Sequence, residues 1–257
     1  MKKIVAVILS ISALNANAIK NIESQRLTPI EEGMSGHVEL KIDGKSGNSD
    51  EQDYGLSGRI NHQQGKDLIF IIASKAYEKS NGRKDTDKSF IHGRWVHNLQ
   101  EPMASEVFAQ YQDNEFTRLL SRYLIGGGIR YTMIQDTDIN LILGAGAFYM
   151  KEKEDLGSYQ TSENYSRLSS YASYKHQLNK NVSIISTAYV QPRIGRMDDY
   201  NILLNGSLLT RLNEQLKLKL AVNVTYDSEP PRNLATTPVI DVKSTDTEYS
   251  VSFVYQF

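Results

Sequence analysis

Leu216-Lys217-Leu218-Lys219-Leu220-Ala221-Val222-Asn223-Val224-Thr225-Tyr226 carries an apolar side chain at every even position and a polar or small one at every odd position. Near the C-terminus, Tyr249, Val251, Phe253, Tyr255 and Phe257 alternate in the same way with Glu248, Ser250, Ser252 and Gln256. Successive side chains of a strand point to opposite faces, so each stretch has one apolar and one polar side. A helix would instead put Lys217 and Lys219 on the flanks of its apolar stripe. Both stretches therefore predict strands.

Reading towards the N-terminus with the same rule predicts about twelve strands, over 33–43, 52–62, 66–78, 87–98, 102–112, 116–132, 138–151, 162–178, 181–194, 200–212, 215–228 and 244–257. Most are longer than the roughly 9–11 residues a tilted membrane-crossing strand needs. Odd-numbered strands mostly end in longer polar loops (Gly44–Glu51, Ser80–Thr86, Glu152–Thr161, Glu229–Lys243), and even-numbered ones end in short turns such as Asn179-Lys180 and Asn213-Glu214. Long connections at one end and tight turns at the other are the layout of an outer-membrane barrel. The fold expected is all-β, an up-and-down antiparallel transmembrane β-barrel over residues 33–257.

The chain begins with Lys2-Lys3, an apolar run from Ile4 to Leu14 and the small-residue site Ala16-Asn17-Ala18. These are the three parts of a secretory signal peptide, residues 1–18, and the run is too short for the roughly 20 residues of a spanning helix. Residues 19–32 are expected to form a periplasmic N-terminal segment. Export followed by a strand-rich chain leaves two destinations: the outer membrane of a Gram-negative cell, or the exterior as a soluble β-protein binding an external ligand.

The composition of the 257-residue chain fits this reading and excludes others. There are 29 Lys+Arg against 30 Asp+Glu, without the basic excess of a nucleic-acid-binding protein. Cysteine is absent, which removes disulfides, thiolate metal sites and cysteine nucleophiles. A mean hydropathy of −0.43 excludes a bundle of membrane helices. It does not exclude a barrel, whose alternation hides its apolar half. The 15 tyrosines against 7 phenylalanines and one tryptophan suit a ring in oil with its hydroxyl in water. Tyr77, Tyr111, Tyr149 and Tyr226 lie near one set of strand ends, with Tyr54, Tyr165 and Tyr200 beside them, and Trp95, Tyr131 and Tyr255 lie near the other. Two such girdles are what the two membrane interfaces favour.

Phe253, Tyr255 and Phe257 at period 2, ending the chain on an aromatic, resemble the signal read by barrel-assembly machinery, with Ser252 in place of its usual glycine. Further stretches extend the resemblance: Ser46-Gly47-Asn48-Ser49-Asp50, Gly126-Gly127-Gly128-Ile129-Arg130-Tyr131, Gly144-Ala145-Gly146, His176-Gln177-Leu178 and Tyr226-Asp227-Ser228-Glu229-Pro230-Pro231. In this order and spacing the chain resembles the domain-of-unknown-function family 481, also called salt-induced outer-membrane proteins, most strongly over 116–257. The resemblance implies a Gram-negative outer-membrane barrel. It carries no substrate, activity or functional residue.

The polar strand face supplies candidate lumen charges: Arg59, Arg94, Glu106, Arg122, Arg130, Arg193, Arg211, Lys217 and Lys219, with Glu39, Lys41, Lys75, Arg167 and Lys175 on the same reasoning. Arg or Lys on the lipid side would cost about 2–4 kcal/mol at the midplane. Gly126, Gly128, Gly144 and Gly146 share the face of Arg122 and Arg130 and leave room for a large lumen side chain opposite. The charges admit a narrow channel with a basic lumen passing a small solute, or a network that fills the barrel of a structural or stress-related envelope protein. Asp227 and Glu229 read as a solvated loop and not as a metal site. Some twelve-stranded barrels hydrolyse lipids, but no G-x-S-x-G, H-E-x-x-H or paired-His pattern occurs. The expected protein is not an enzyme, uses no cofactor, and has outer-membrane lipid and the assembly machinery as partners.

Overall fold

Alternating apolar and polar residues leave a strand two different faces, and twelve such strands satisfy every edge only by closing on themselves. The structure, a computed structural model, describes residue 22 and residues 32–45, 51–80, 83–115, 119–155, 160–229 and 244–257. Its strands are β1 (Gly33–Lys45), β2 (Glu51–Gln64), β3 (Asp67–Ser80), β4 (Arg83–Gln100), β5 (Met103–Asn114), β6 (Leu119–Gln135), β7 (Ile139–Asp155), β8 (Gln160–Gln177), β9 (Val182–Arg193), β10 (Arg196–Arg211), β11 (Leu216–Asp227) and β12 (Thr245–Gln256). Each pairs antiparallel with its sequence neighbour, and β1 pairs with β12 to close the barrel. No helix among the described residues is long and apolar enough to cross a membrane.

The alternation holds through the register. Leu220 stands opposite Val251 and Leu208, and all three face outward. Outward residues Leu56, Ile60, Ile71, Ile91, Val107, Ile125 and Val251 are each about half exposed. A water-soluble sandwich would bury this band; a barrel presents it to lipid.

The seam is short. β1 and β12 share four register pairs, His37↔Gln256 to Leu40↔Phe253. Gly36 extends it by donating to the Phe257 carbonyl (2.9 Å) and accepting from the Phe257 amide (3.1 Å). A Cβ on Gly36 would lie 2.6 Å from the Arg59 carbonyl oxygen and 2.9 Å from the Phe257 ring, so the terminal aromatic fits because this residue has no side chain.

The tight turns gather at one end, here the turn end, with the start of β1 and the finish of β12. Asn179 and Asn213 cap two of these turns, their Oδ1 atoms accepting from the Asn181 and Val182 amides and the Gln215 and Leu216 amides (2.8–3.0 Å). At the other end, the loop end, the strands run further than the alternation predicts. β3 continues to Ser80 and β4 begins at Arg83, so much of the expected Ser80–Thr86 loop is ladder. Residues 1–18, the loop segments 46–50, 81–82 and 156–159, and most of the 229–243 loop lie outside the described residues. Of residues 19–32, Ile22 and Glu32 are described. The Glu32 carboxylate accepts from the Gly65 amide (2.9 Å) in the β2–β3 turn.

Candidate functional site

The inward face of the strands is the lumen, and it brings together most of the charges expected there. Arg59, Arg94, Glu106, Arg122, Arg130, Lys217 and Lys219 are all buried. Arg193 is half-buried on the same face. Arg211 shares this face but is exposed at the turn-end rim, opposite Lys217. Lys75 is a correction: it faces outward between Ala73 and Tyr77 near the loop end and pairs with Asp87 and Ser89. The even positions of β3 hold Leu68, Phe70 and Ile72, and these bulky groups take the inside.

Glycine decides the middle of the lumen. Gly144 stands directly opposite Tyr171, and a Cβ there would overlap the Tyr171 ring. With no side chain at Gly144, the Tyr171 ring lies flat against β7. Gly146 and Gly128 are opposite each other in the next row, and Gly128 is opposite Glu106. The tyrosine thus spans two strands, and its hydroxyl donates to the Glu106 carboxylate (3.3 Å). Glu106 also accepts from Arg94 (2.8 Å), both buried. Arg94 donates to His92 Nε2 (3.3 Å), and the His92 Nδ1 side meets Gln110 (3.1 Å). Phe70, Phe90 and Phe108 stack around the His92 ring with centroids 5.5–6.3 Å away. The Arg59 guanidinium sits 3.9 Å over the Phe70 ring.

Further ion pairs line the wall towards the loop end. Arg122 donates through Nε and Nη2 to Glu152 (2.8 and 2.6 Å), which also accepts from the Tyr165 hydroxyl (3.0 Å). Asp199 is shared by Arg167 (2.5 Å) and Arg193 (3.3 Å). Across the seam, Glu39 on β1 accepts from Lys219 on β11 (2.9 Å) and Ser252 on β12.

Two features were missed from sequence. The lumen contains apolar clusters as well as charges: Leu124, Ile142, Phe148, Met150, Tyr171, Tyr189 and Leu203 form one, and Leu68, Phe70, Ile72, Phe90, Val96 and Ala104 form another that includes Ile22. Tyr165, Tyr171 and Tyr189 are lumen tyrosines, so Tyr165 is not an interface residue as expected. Parity alone gave the signal, because Tyr165 and Tyr171 share the odd register of Arg167.

On the outward face, Tyr77, Tyr149, Trp95, Tyr131, Tyr255, Phe253 and Phe257 are exposed, and Tyr111 and Tyr226 share that face. Tyr54 stands opposite Tyr77, Tyr111 meets Tyr123 (5.1 Å between centroids), and Tyr200 meets Tyr226 (5.7 Å). All six are at the loop end. At the turn end Asp67 accepts from Trp95 Nε1 and contacts His97 Nδ1, both at 2.8 Å. Ser105 lies opposite His97 in register, which gives Asp, His and Ser in one outward row. No hydrogen bond joins Ser105 to His97, so the row lacks the nucleophile–base contact of a hydrolase. Among the described residues no group of three or more His, Asp or Glu is placed to hold a metal ion. Glu229 is engaged by Arg196 at 2.6 Å.

The profile of the family described as "Protein of unknown function, DUF481" matches residues 38–257. No curated protein sequence matches the chain. Among solved structures, the translocator domain of autotransporter NalP from Neisseria meningitidis superposes with a TM-score of 0.55 at 11% identity, covering 91% of this chain and 92% of that one. The NanC porin gives 0.51 at 9% identity, covering 88% and 100%. An outer membrane channel from Pseudomonas putida F1 gives 0.51 at 9% identity, covering 89% and 97%. At such identities the shared property is the fold, that of outer-membrane β-barrels.

Proposed function

The chain belongs to the DUF481 family, and on that premise we propose that it is an integral outer-membrane barrel closed across its middle at rest. The observation that carries this reading is the Tyr171–Glu106–Arg94–His92 layer laid over the Gly144 gap. Beside it remains a cavity of about 30 Å³, lined by His92, Arg94, Glu106, Phe108 and Tyr171. That is room for one or two waters. Twelve strands lie between side-chain-filled small barrels and wide porins, so side-chain content decides whether the lumen is open.

Where the lumen opens, its charge favours anions. Arg59, Arg94, Arg122, Arg130, Arg167, Lys217 and Lys219 are buried there against Glu106, Asp199 and Asp246, with Glu39 and Glu152 partly buried. Cationic linings select anions in this way. Lipid on the outward face, periplasmic placement of the turn end, and recognition of Phe253, Tyr255 and Phe257 by assembly machinery belong to the same reading. It gives the protein no catalytic step.

Two assays test it. The purified protein is expected to migrate anomalously in detergent gels until boiled, as closed barrels do and a soluble sandwich does not. In a liposome-swelling assay, wild-type protein is expected to admit small sugars no faster than protein-free vesicles. Rapid swelling with the unmodified chain would remove the closed-lumen reading.

A further inference from the structure

Ile22 precedes the first strand, yet its side chain is only 4% exposed. It joins one buried apolar cluster with Leu68, Phe70, Ile72, Phe90, Val96 and Ala104, all inward residues of β3, β4 and β5. This wall therefore shows an apolar patch to the interior. Left in water, such a patch loses the stabilisation that burial of an isoleucine against it supplies. Glu32 is fixed at the turn end by its contact with Gly65. Ten positions separate Ile22 from Glu32. Extended chain spans roughly 3.3–3.6 Å per residue, so about 33–36 Å is available to lead from the rim into the barrel. Ile22 also borders the small cavity beside His92 and Arg94.

We infer that the inward face of β3–β5 is a docking site for the chain's own N-terminal segment, residues 19–31, which enters from the turn end with Ile22 as its apolar anchor. With the expected cleavage after Ala18, Ile22 would be the fourth residue of the exported chain. The segment's role differs from that of the Glu106 layer, which closes the lumen through residues of the strands alone. The partner it excludes is any apolar group that would otherwise reach Phe70 and Phe90 from the turn end.

The absence of cysteine lets introduced thiols report without background. In the full chain, folded in detergent and verified by its heat-dependent migration, Ile22→Cys is combined in turn with Leu68→Cys, Val96→Cys or Ala104→Cys. A control combines it with Leu209→Cys on β10, five or six strands from β3–β5 around the barrel. Mild oxidation is expected to cross-link at least one of the three near pairs and not the control. The Ile22→Cys chain alone is expected to react with a water-soluble maleimide about ten-fold or more slowly than Lys180→Cys in an exposed turn, because reaction then requires local opening. Slow labelling upholds the docking even where side-chain geometry prevents a disulfide. Labelling of Ile22→Cys as fast as Lys180→Cys, or a cross-link to Leu209→Cys as efficient as to the near wall, overturns it. Neither readout depends on conductance, so failure here leaves the closed-lumen reading untouched, and the reverse.

Discussion

Along β11, Leu216, Leu218, Leu220, Val222 and Val224 point outward and share one requirement, that they be apolar. Lys219, between two of them, points inward and reaches Glu39, 180 positions away in the chain. The same contrast runs round the barrel. Ile125 and Ile129 need only lipid, whereas Arg94 needs Glu106, Arg122 needs Glu152, and Tyr171 needs a missing side chain at Gly144. Lipid selects residues by polarity alone. The lumen selects them in pairs, because a charge withdrawn from water must be matched.

This contrast orders the effects of substitution. The largest falls on a lumen pair. Glu106→Ala leaves Arg94 buried without its carboxylate and is expected to cost about 3–5 kcal/mol. The double change Arg94→Met with Glu106→Leu is expected to recover most of that loss. Urea unfolding in lipid vesicles measures both, and equal losses for single and double changes would break the pairing rule. Next comes the outward face: Leu220→Arg is expected to cost about 2–4 kcal/mol if the position lies near the midplane. A neutral result would mean that this face does not meet lipid.

Third, Gly144→Ala pushes the Tyr171 ring off β7, an overpacking expected to cost about 1–3 kcal/mol. Adding Tyr171→Ala should make the glycine change nearly silent, and a double-mutant cycle reads that coupling. The smallest effect is expected at Lys75→Ala. Its ion pair with Asp87 is more than half exposed on the lysine side, and such pairs contribute about 0–1 kcal/mol. A loss there as large as that at Glu106 would show that burial does not separate the two classes of ion pair.

The lipid rule is also why so much of the fold was legible. Period-2 alternation needs no partner, so all twelve strands lie close to where Leu216–Tyr226 and its counterparts placed them. Parity also put Arg59, Arg94, Arg122 and Arg130 on one face. It failed at Lys75, where the inward positions of β3 are as apolar as the outward ones and Lys75 follows Ile69 and Ile71. Tyr165 was misplaced by residue type and not by parity: a tyrosine suits an interface and a lumen equally, but its odd register, shared with Arg167, turns it inward to Glu152. Ile22 was illegible for a stronger reason. Ile19, Ile22, Leu27 and Ile30 mix odd and even positions, so their stretch has no strand period, and the patch that receives Ile22 is assembled from three strands.

Single-channel recording in planar bilayers bears most directly on the closed lumen. Wild-type protein is expected to insert without resolvable steps, while Glu106→Ala, which frees Tyr171 and Arg94 together, is expected to give discrete steps with anion preference. Large, stable steps from the unmodified chain, unchanged by Glu106→Ala, would contradict the account.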